Sequence, residues 1–214
     1  MEIVETKVYT YDKLSDEAKQ VALEKLRNIN VNHDWWDFVY KDVNAVAALM
    51  GININQIYFS GFWSKGDGAC FEGLYEYKAG SVKAVEAYAP KDEELHRIAA
   101  ELAALQRKCF YQIRASFQHS GDYYHRFCTD FSVDFKSHVT GSDYYNEETE
   151  GAIIKAIRDL MHWTYWQLKS NYDALTTDEA VAETIKDNDY NFTNDGKIFN
   201  FFHLRFLDSV VYFR

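Results

Sequence analysis

The sequence predicts an α+β fold, with an antiparallel sheet of about four to five strands and helices packed on one of its faces, in a single domain over residues 1–214. Three observations predict it. Residues 111–119 and 127–136 alternate apolar and polar side chains with a period of two, which places one face of each strand in a core and the other in water. The stretch "IYFSGFWSKGDGACFEGLYEY", Ile57 to Tyr77, reads as two alternating runs joined by a glycine-rich tip. Between and after these runs, apolar residues recur at helical spacing.

In chain order, residues 2–10, "EIVETKVYT", alternate and predict a strand. Ser15 is a natural N-cap, followed by Asp16 and Glu17 where the helix dipole favours acids, and Leu14, Ala18, Val21, Ala22 and Leu26 then share one helical face. A second helix spans about residues 34–50 on a stripe of Trp36, Val39, Val43, Val46, Ala47 and Met50, with Gly51 placed to end it. In the Ile57–Tyr77 hairpin, Ile57, Phe59, Gly61 and Trp63 share a face, and Gly66 and Gly68 supply positive φ in the turn. Ser81 caps a short helix that stops before Pro90, and a longer helix from about residue 91 to 107 buries Leu95, Ile98, Ala99, Leu102 and Leu105.

Two strands follow. Tyr111, Ile113, Ala115, Phe117 and His119 oppose Gln112, Arg114, Ser116 and Gln118. After "SGDYYHR", Phe127, Phe131, Val133 and Phe135 point inward, while Asp130, Ser132, Asp134 and Lys136 point outward. A helix over about residues 148–172 turns Ile153, Ile157, Leu160, Met161 and Leu168 inward. Thr176 with Glu179 has capping-box spacing for a helix reaching about Lys186. The segment "YNFTNDGKIFNF" predicts a hairpin at Asp195-Gly196, and the apolar tail "FFHLRFLDSVVYFR" must pack, pair or serve as a contact surface.

Composition narrows the function. Apolar residues make up 47% and aromatics 17%, which supports a packed core, and a single proline leaves no rigid linker between domains. No apolar run is long enough to span a membrane, and "MEIVETKVYTYDKLSDEAKQ" lacks a basic-then-apolar leader, so a cytoplasmic protein is expected. Cys70, Cys109 and Cys128 are odd in number and widely spaced, which fits a reducing compartment. The net charge of −10 argues against a general binder of phosphate backbones. The charge is unevenly placed: residues 143–195 hold twelve acids, from Asp143 to Asp195, against four bases.

The chemistry-bearing residues are few. His119, His125, Cys128 and Cys70 are metal-ligand types, but no CxxC, HxH or HExxH spacing joins them, so no metal or cofactor is expected. Cys70 with His119 or His125, the ring oriented by Asp67 or Asp122, contains the residue types of a thiolate–imidazole pair, although a small buried cysteine explains Cys70 equally. "SKGDG" matches neither common phosphate-loop pattern. No strong catalytic motif emerges, and the balance leans away from an enzyme. Tyr58, Phe62, Tyr75 and Tyr77 are stacking-capable, but without a basic groove cross-strand packing explains them better.

The pieces "LSDEAKQVALEKLR", "IYFSGFWSKGDGACFEGLYEYKAG", "YAPKDEELHRIA" and "HSGDYY" together resemble a family of small phage and prophage proteins of proteobacteria, whose members often carry the automatic designation "antitoxin of toxin-antitoxin stability system". The resemblance covers about residues 8–196, with "SGFWSKGDGACFEG" and "YAPKDEELHRIA" its most specific parts. It implies a phage or mobile-element setting and brings no catalytic residue.

Two expectations follow. The first is an accessory protein that inhibits a bacterial defence or nucleic-acid-handling complex, of anti-CRISPR type. It would bind a host protein with a basic surface, itself contacting neither nucleic acid nor membrane. Glu147, Glu148, Glu150, Asp178, Glu179, Glu183 and Asp187 would imitate DNA phosphates; the bland reading of these acids is a solvated helix face. The second is a small-molecule or nucleotide binder, or a hydrolase, with a site between the 61–72 hairpin and the 119–125 loop. Trp63 would stack a flat ligand, Lys65 would hold an anion, and Asp67, Glu72, His119 or His125 would supply acid–base groups. The oligomeric state stays open.

Overall fold

The structure is a computed structural model and describes residues 6–135 and 146–199. Residues 2–5 of the expected first strand, Lys136, Asp143 and residues 200–214 of the apolar tail lie outside the described residues. In chain order the elements are β1 (Tyr9–Thr10), a 3-10 turn (Tyr11–Lys13), α1 (Asp16–Leu26), α2 (Asp37–Met50), β2 (Ile52–Phe59), β3 (Ala69–Glu76), α3 (Ser81–Tyr88), α4 (Glu93–Lys108), β4 (Ile113–His119), β5 (Thr129–Phe135), α5 (Glu147–Leu175), α6 (Asp178–Asp187) and β6 (Asn191–Phe192). The fold class is α+β, as the sequence predicts. The chain has two compact units, Met1–Trp35 with Asn171–Arg214, and Trp36–Ser170.

The continuous unit is built on a four-stranded antiparallel meander in the order β2-β3-β4-β5, with α3 and α4 inserted between β3 and β4. Register follows the alternation in the sequence. Gly73 faces Phe117, Tyr75 faces Ala115, and Phe117 faces Phe131. Ile113, Ala115, Phe117, Phe71 and Tyr75 are buried on one face, whereas Arg114 and Glu76 pair at 3.0 Å among exposed residues of the other. Helices cover the packed face with Leu95, Ile98, Ile153, Ile157, Leu160 and Met161, all fully buried. At the start of α4 the Asp92 side chain caps the Leu95 amide and also accepts the Trp163 indole N–H at 2.8 Å, which ties α4 to α5. Gly51 ends α2 at φ 86, and a Cβ there would lie 2.1 Å from the Glu76 carbonyl oxygen, so only glycine fits both the αL cap and the neighbouring strand.

The turn from α4 into β4 is strained. Phe110 and Tyr111 both adopt left-handed φ, 53° and 61°, a conformation that costs an L-residue about 1–2 kcal/mol. The fully buried Gln106 holds it. Its backbone carbonyl accepts the Tyr111 amide at 2.6 Å, its side-chain oxygen accepts the Ile113 amide at 3.3 Å, and its side-chain nitrogen donates to the Ile113 carbonyl at 2.8 Å.

The other unit has its own core of Tyr11, Leu14, Ala18, Ala22, Leu23, Val181, Ile185 and Phe192. β1 pairs with β6, and the Tyr11 and Phe192 rings meet edge to face at 6.4 Å. Arg27 donates to the Thr176 carbonyl at 3.1 Å and pairs with Asp178, while Asn30 reaches the Leu175 carbonyl at 3.0 Å.

Several expected details differ. Of the described part of the 2–10 strand only Tyr9–Thr10 pairs, because its partner β6 is two residues long before Thr193 and Lys197 close a turn. The second strand ends at Phe59, short of Trp63. Ser81 is the buried first residue of α3, after Gly80 at φ 76, and it caps nothing. Phe127 precedes β5 and is 63% exposed. The cap of α6 is Thr177, whose hydroxyl accepts the Ala180 amide at 3.2 Å; the Thr176 hydroxyl instead donates to the Tyr172 carbonyl.

Gln106→Leu should lower unfolding stability by about 2 kcal/mol or more in urea titration, since it strands two buried backbone groups of Ile113. Thr177→Ala should cost about 1 kcal/mol in the same titration.

Candidate functional site

The two long connections at one end of the sheet come together. Residues 60–68 join β2 to β3, closed by the Ser60 amide on the Gly68 carbonyl at 3.1 Å; residues 120–128 join β4 to β5, closed by the Ser120 amide on the Cys128 carbonyl at 2.9 Å. Asp67 shapes the first loop. Its Oδ2 accepts the Trp63 amide at 2.8 Å and the Ser64 amide at 2.7 Å, which is why the ladder stops at Phe59. Gly66 takes φ 100 with the Tyr123 ring against it. Gly68 does not need positive φ, as the sequence suggested. It is needed because a Cβ would stand 2.6 Å from the His125 Cβ. The two glycines let the loops touch backbone to side chain.

Between these loops and α5 lies a cleft of about 680 Å³. Lys65, Asp67 and Gly68 line it from the hairpin, Tyr123, His125, Arg126 and Phe127 from the second loop, and His162 and Tyr165 from α5. Tyr123 and Phe127 are 58% and 63% exposed. Phe127 carries two guanidinium groups on its ring, Arg126 at 5.0 Å and Arg158 at 5.3 Å. Burial, then the charge of Arg126, pushes the pKa of Arg158 down. Behind the cleft, Asp159 Oδ2 takes Arg97 and Lys155, each at 2.7 Å, while its Oδ1 stands 3.6 Å from Arg126.

Hydrogen bonds set the tautomer of each of the two histidines. His162 Nε2 accepts the Trp166 indole N–H at 3.0 Å, so its proton sits on Nδ1; burial, and next the Arg126 charge, lower its pKa. His125 Nδ1 accepts the Phe127 amide at 3.1 Å, so Nε2 carries the proton and points it at Cys128 Sγ, 3.4 Å away. With that proton in place His125 is not set to deprotonate Cys128.

The residues singled out in the sequence divide. Lys65, Asp67 and His125 line the cleft. Trp63 stands at the hairpin tip, 74% exposed, with Lys169 Nζ 5.4 Å from its ring. Glu72 lies across from Gln56 in the sheet, and His119 bonds the Tyr123 carbonyl at 3.1 Å and packs on Tyr58 at 4.7 Å; neither lines the cleft. Cys70 meets no histidine in the way expected. It is fully buried, and burial pushes its thiol up to about 12, so it is not a nucleophile. Among the described residues no group of three or more metal-ligating side chains gathers. Arg126, Phe127, His162 and Tyr165 were missed. The helical spacing of His162, Tyr165 and Trp166, on the polar side of an otherwise apolar stripe, was the available signal.

Five of the seven acids have visible roles in the helices. Glu147, Glu148 and Glu150 occupy the first turn of α5, and Asp178 and Glu179 the first turn of α6, where carboxylates offset the helix dipole. Asp178 is paired with Arg27, while Glu183 and Asp187 are exposed. The first three acids lie in one compact unit and the other four in the second.

The molecule is thus an α+β protein with a one-sided antiparallel meander and a cleft at the end of its sheet. Residues 35–178 match the model of a domain of unknown function, DUF8835, and the chain belongs to that family. No curated protein and no solved structure matches it.

The His162 imidazole should titrate below the ordinary 6.5 in NMR, and Arg126→Ala should move it up. The folded chain binds fewer protons here than the unfolded one. The ring's stabilising contribution is therefore present above pH 6.5 and is lost as pH falls through the lower folded value. Trp166 fluorescence should change over the same interval, since a proton on Nε2 displaces the indole bond.

Proposed function

We propose that this protein is a ligand-binding protein that recognises a small molecule with a flat ring in the cleft between the 60–68 and 120–128 loops, and that it binds without transforming its ligand. The observation that carries this reading is the joint placement of Lys65, Arg126, Tyr123, Phe127 and Tyr165 around one concave space. The size supports it, since such sites usually run about 300–1,000 Å³. The rigid glycine contacts support it too: they hold the walls in place, and a preorganised cleft loses less entropy on binding. At the cleft, the Phe127 amide takes the lone pair of His125 Nδ1 and the Trp166 indole that of His162 Nε2, which favours binding over proton transfer.

The inhibitor reading draws on the acids of α5 and α6. Five of these seven acids sit in first helical turns, where they answer a folding need, so the cleft carries the proposal, and phage anti-defence binding remains the competing proposal that the same experiment addresses.

Amide chemical-shift mapping against a panel of nucleosides, nucleotides and aromatic acids tests this function. Shifts should concentrate at residues 65–69, 123–127, 162 and 165. Gly68→Ala, which forces His125 away, should weaken the same ligands with the fold intact by circular dichroism. A panel that shifts nothing in the cleft, with a host protein broadening Glu147–Glu150 or α6 instead, would replace this proposal by the inhibitor reading.

A further inference from the structure

The cleft holds more positive charge than its surroundings neutralise. Arg126 has five N–H donors in a planar fork, yet its guanidinium makes no hydrogen bond among the described residues. Its ion pair with Asp159 is long, 3.6 Å, and the other oxygen of that carboxylate already serves Arg97 and Lys155. Arg158 adds a second charge beside it. That side chain gives one hydrogen bond, to the Thr129 carbonyl at 3.3 Å, and its buried Nε has no partner. Lys65, exposed on the opposite wall, forms neither a hydrogen bond nor an ion pair among the described residues. The one carboxylate lining the cleft, Asp67, takes the Trp63 and Ser64 amides on Oδ2, and its single negative charge stands against the two cations of the lining, Lys65 and Arg126. Beside these cations stand the exposed rings of Tyr123 and Phe127.

We propose that the ligand carries an oxyanion, phosphate or carboxylate, attached to its flat ring, and that Arg126 and Lys65 hold the oxyanion while Tyr123 and Phe127 take the ring. This rests on the cleft reading above. Arg126 is the anchor, because its fork matches two oxyanion oxygens at once and its guanidinium carbon lies over the Phe127 ring, 5.0 Å from the centroid. Lys65 closes over the anion from the hairpin tip as a point charge. Arg158 strengthens the field from behind and stays bonded to Thr129.

Isothermal titration calorimetry on the full chain tests it with five probes: AMP, adenosine, indole-3-acetate, indole and inorganic phosphate. AMP or indole-3-acetate should bind at least about tenfold more tightly than its uncharged counterpart, with a gain that shrinks in high salt. Whichever pair shows the larger gain identifies phosphate or carboxylate as the anion. Arg126→Ala should bring the charged probe down to the level of the neutral one, and Arg126→Lys should restore only part of the gain. Lys65→Ala, at an exposed site with no packing role, should lower affinity for the charged probes without altering the melting temperature, so a folding defect of Arg126→Ala does not decide the matter. Equal binding of charged and neutral probes, unaffected by both variants, overturns the oxyanion assignment and leaves the cleft reading standing. Inorganic phosphate binding as tightly as AMP overturns the ring-bearing ligand. Failure of every probe to bind, with cleft amides unshifted, removes the cleft reading and this inference together.

Discussion

The buried amide of Gln106 sets the phase of β4, and much of the continuous unit follows from that phase. A strand that slips by one residue turns its whole apolar set to the solvent. Gln106 prevents the slip by binding both backbone groups of Ile113 while the chain leaves α4 through two left-handed residues. With Ile113 placed inward, Ala115 and Phe117 must follow, and Gly73 and Phe131 are brought opposite Phe117. His119 then ends the strand at the rim, and the 120–128 loop starts where it meets the β2–β3 hairpin. A neutral hydrogen bond contributes little net stability, but an unmade buried one is costly, so this clamp acts mainly by making alternatives expensive.

The cleft joins rigid packing to unsatisfied charge. Asp159 is shared by three cations from α4, α5 and the loop before β5, and Lys155 and Arg97 hold its carboxyl below the usual range against the opposing effect of burial. That arrangement fixes Arg126 near α5 without saturating it.

Much of the fold was legible in the sequence because burial is one-sided. The clean alternation of 111–119 and 129–135 and the stripes of α2, α4 and α5 all report directly on which side faces the core. Boundaries set by side-chain hydrogen bonds were not legible. Choosing Thr177 over Thr176 depends on where α5 ends, and stopping β2 at Phe59 depends on Asp67 reaching back to two amides. The site was half visible: the glycine-rich tip and the "SGDYYHR" loop drew attention to Lys65, Asp67 and His125. Arg126, His162 and Tyr165 became site residues only through tertiary approach, which no local pattern encodes.

The smaller core is assembled from stretches far apart in sequence, with Arg27 and Asp178 separated by 151 residues. During synthesis, Leu14, Ala18, Ala22 and Leu23 therefore leave the ribosome long before Val181 and Ile185 exist to cover them. At roughly 5–20 residues per second the delay is on the order of ten to thirty seconds. Residues 36–170 are continuous and have every strand of their sheet available in that time. The order of emergence thus favours completing the meander first and leaves α1 as an unpartnered amphipathic segment, a natural client for chaperones, until Val181, Ile185 and Phe192 emerge.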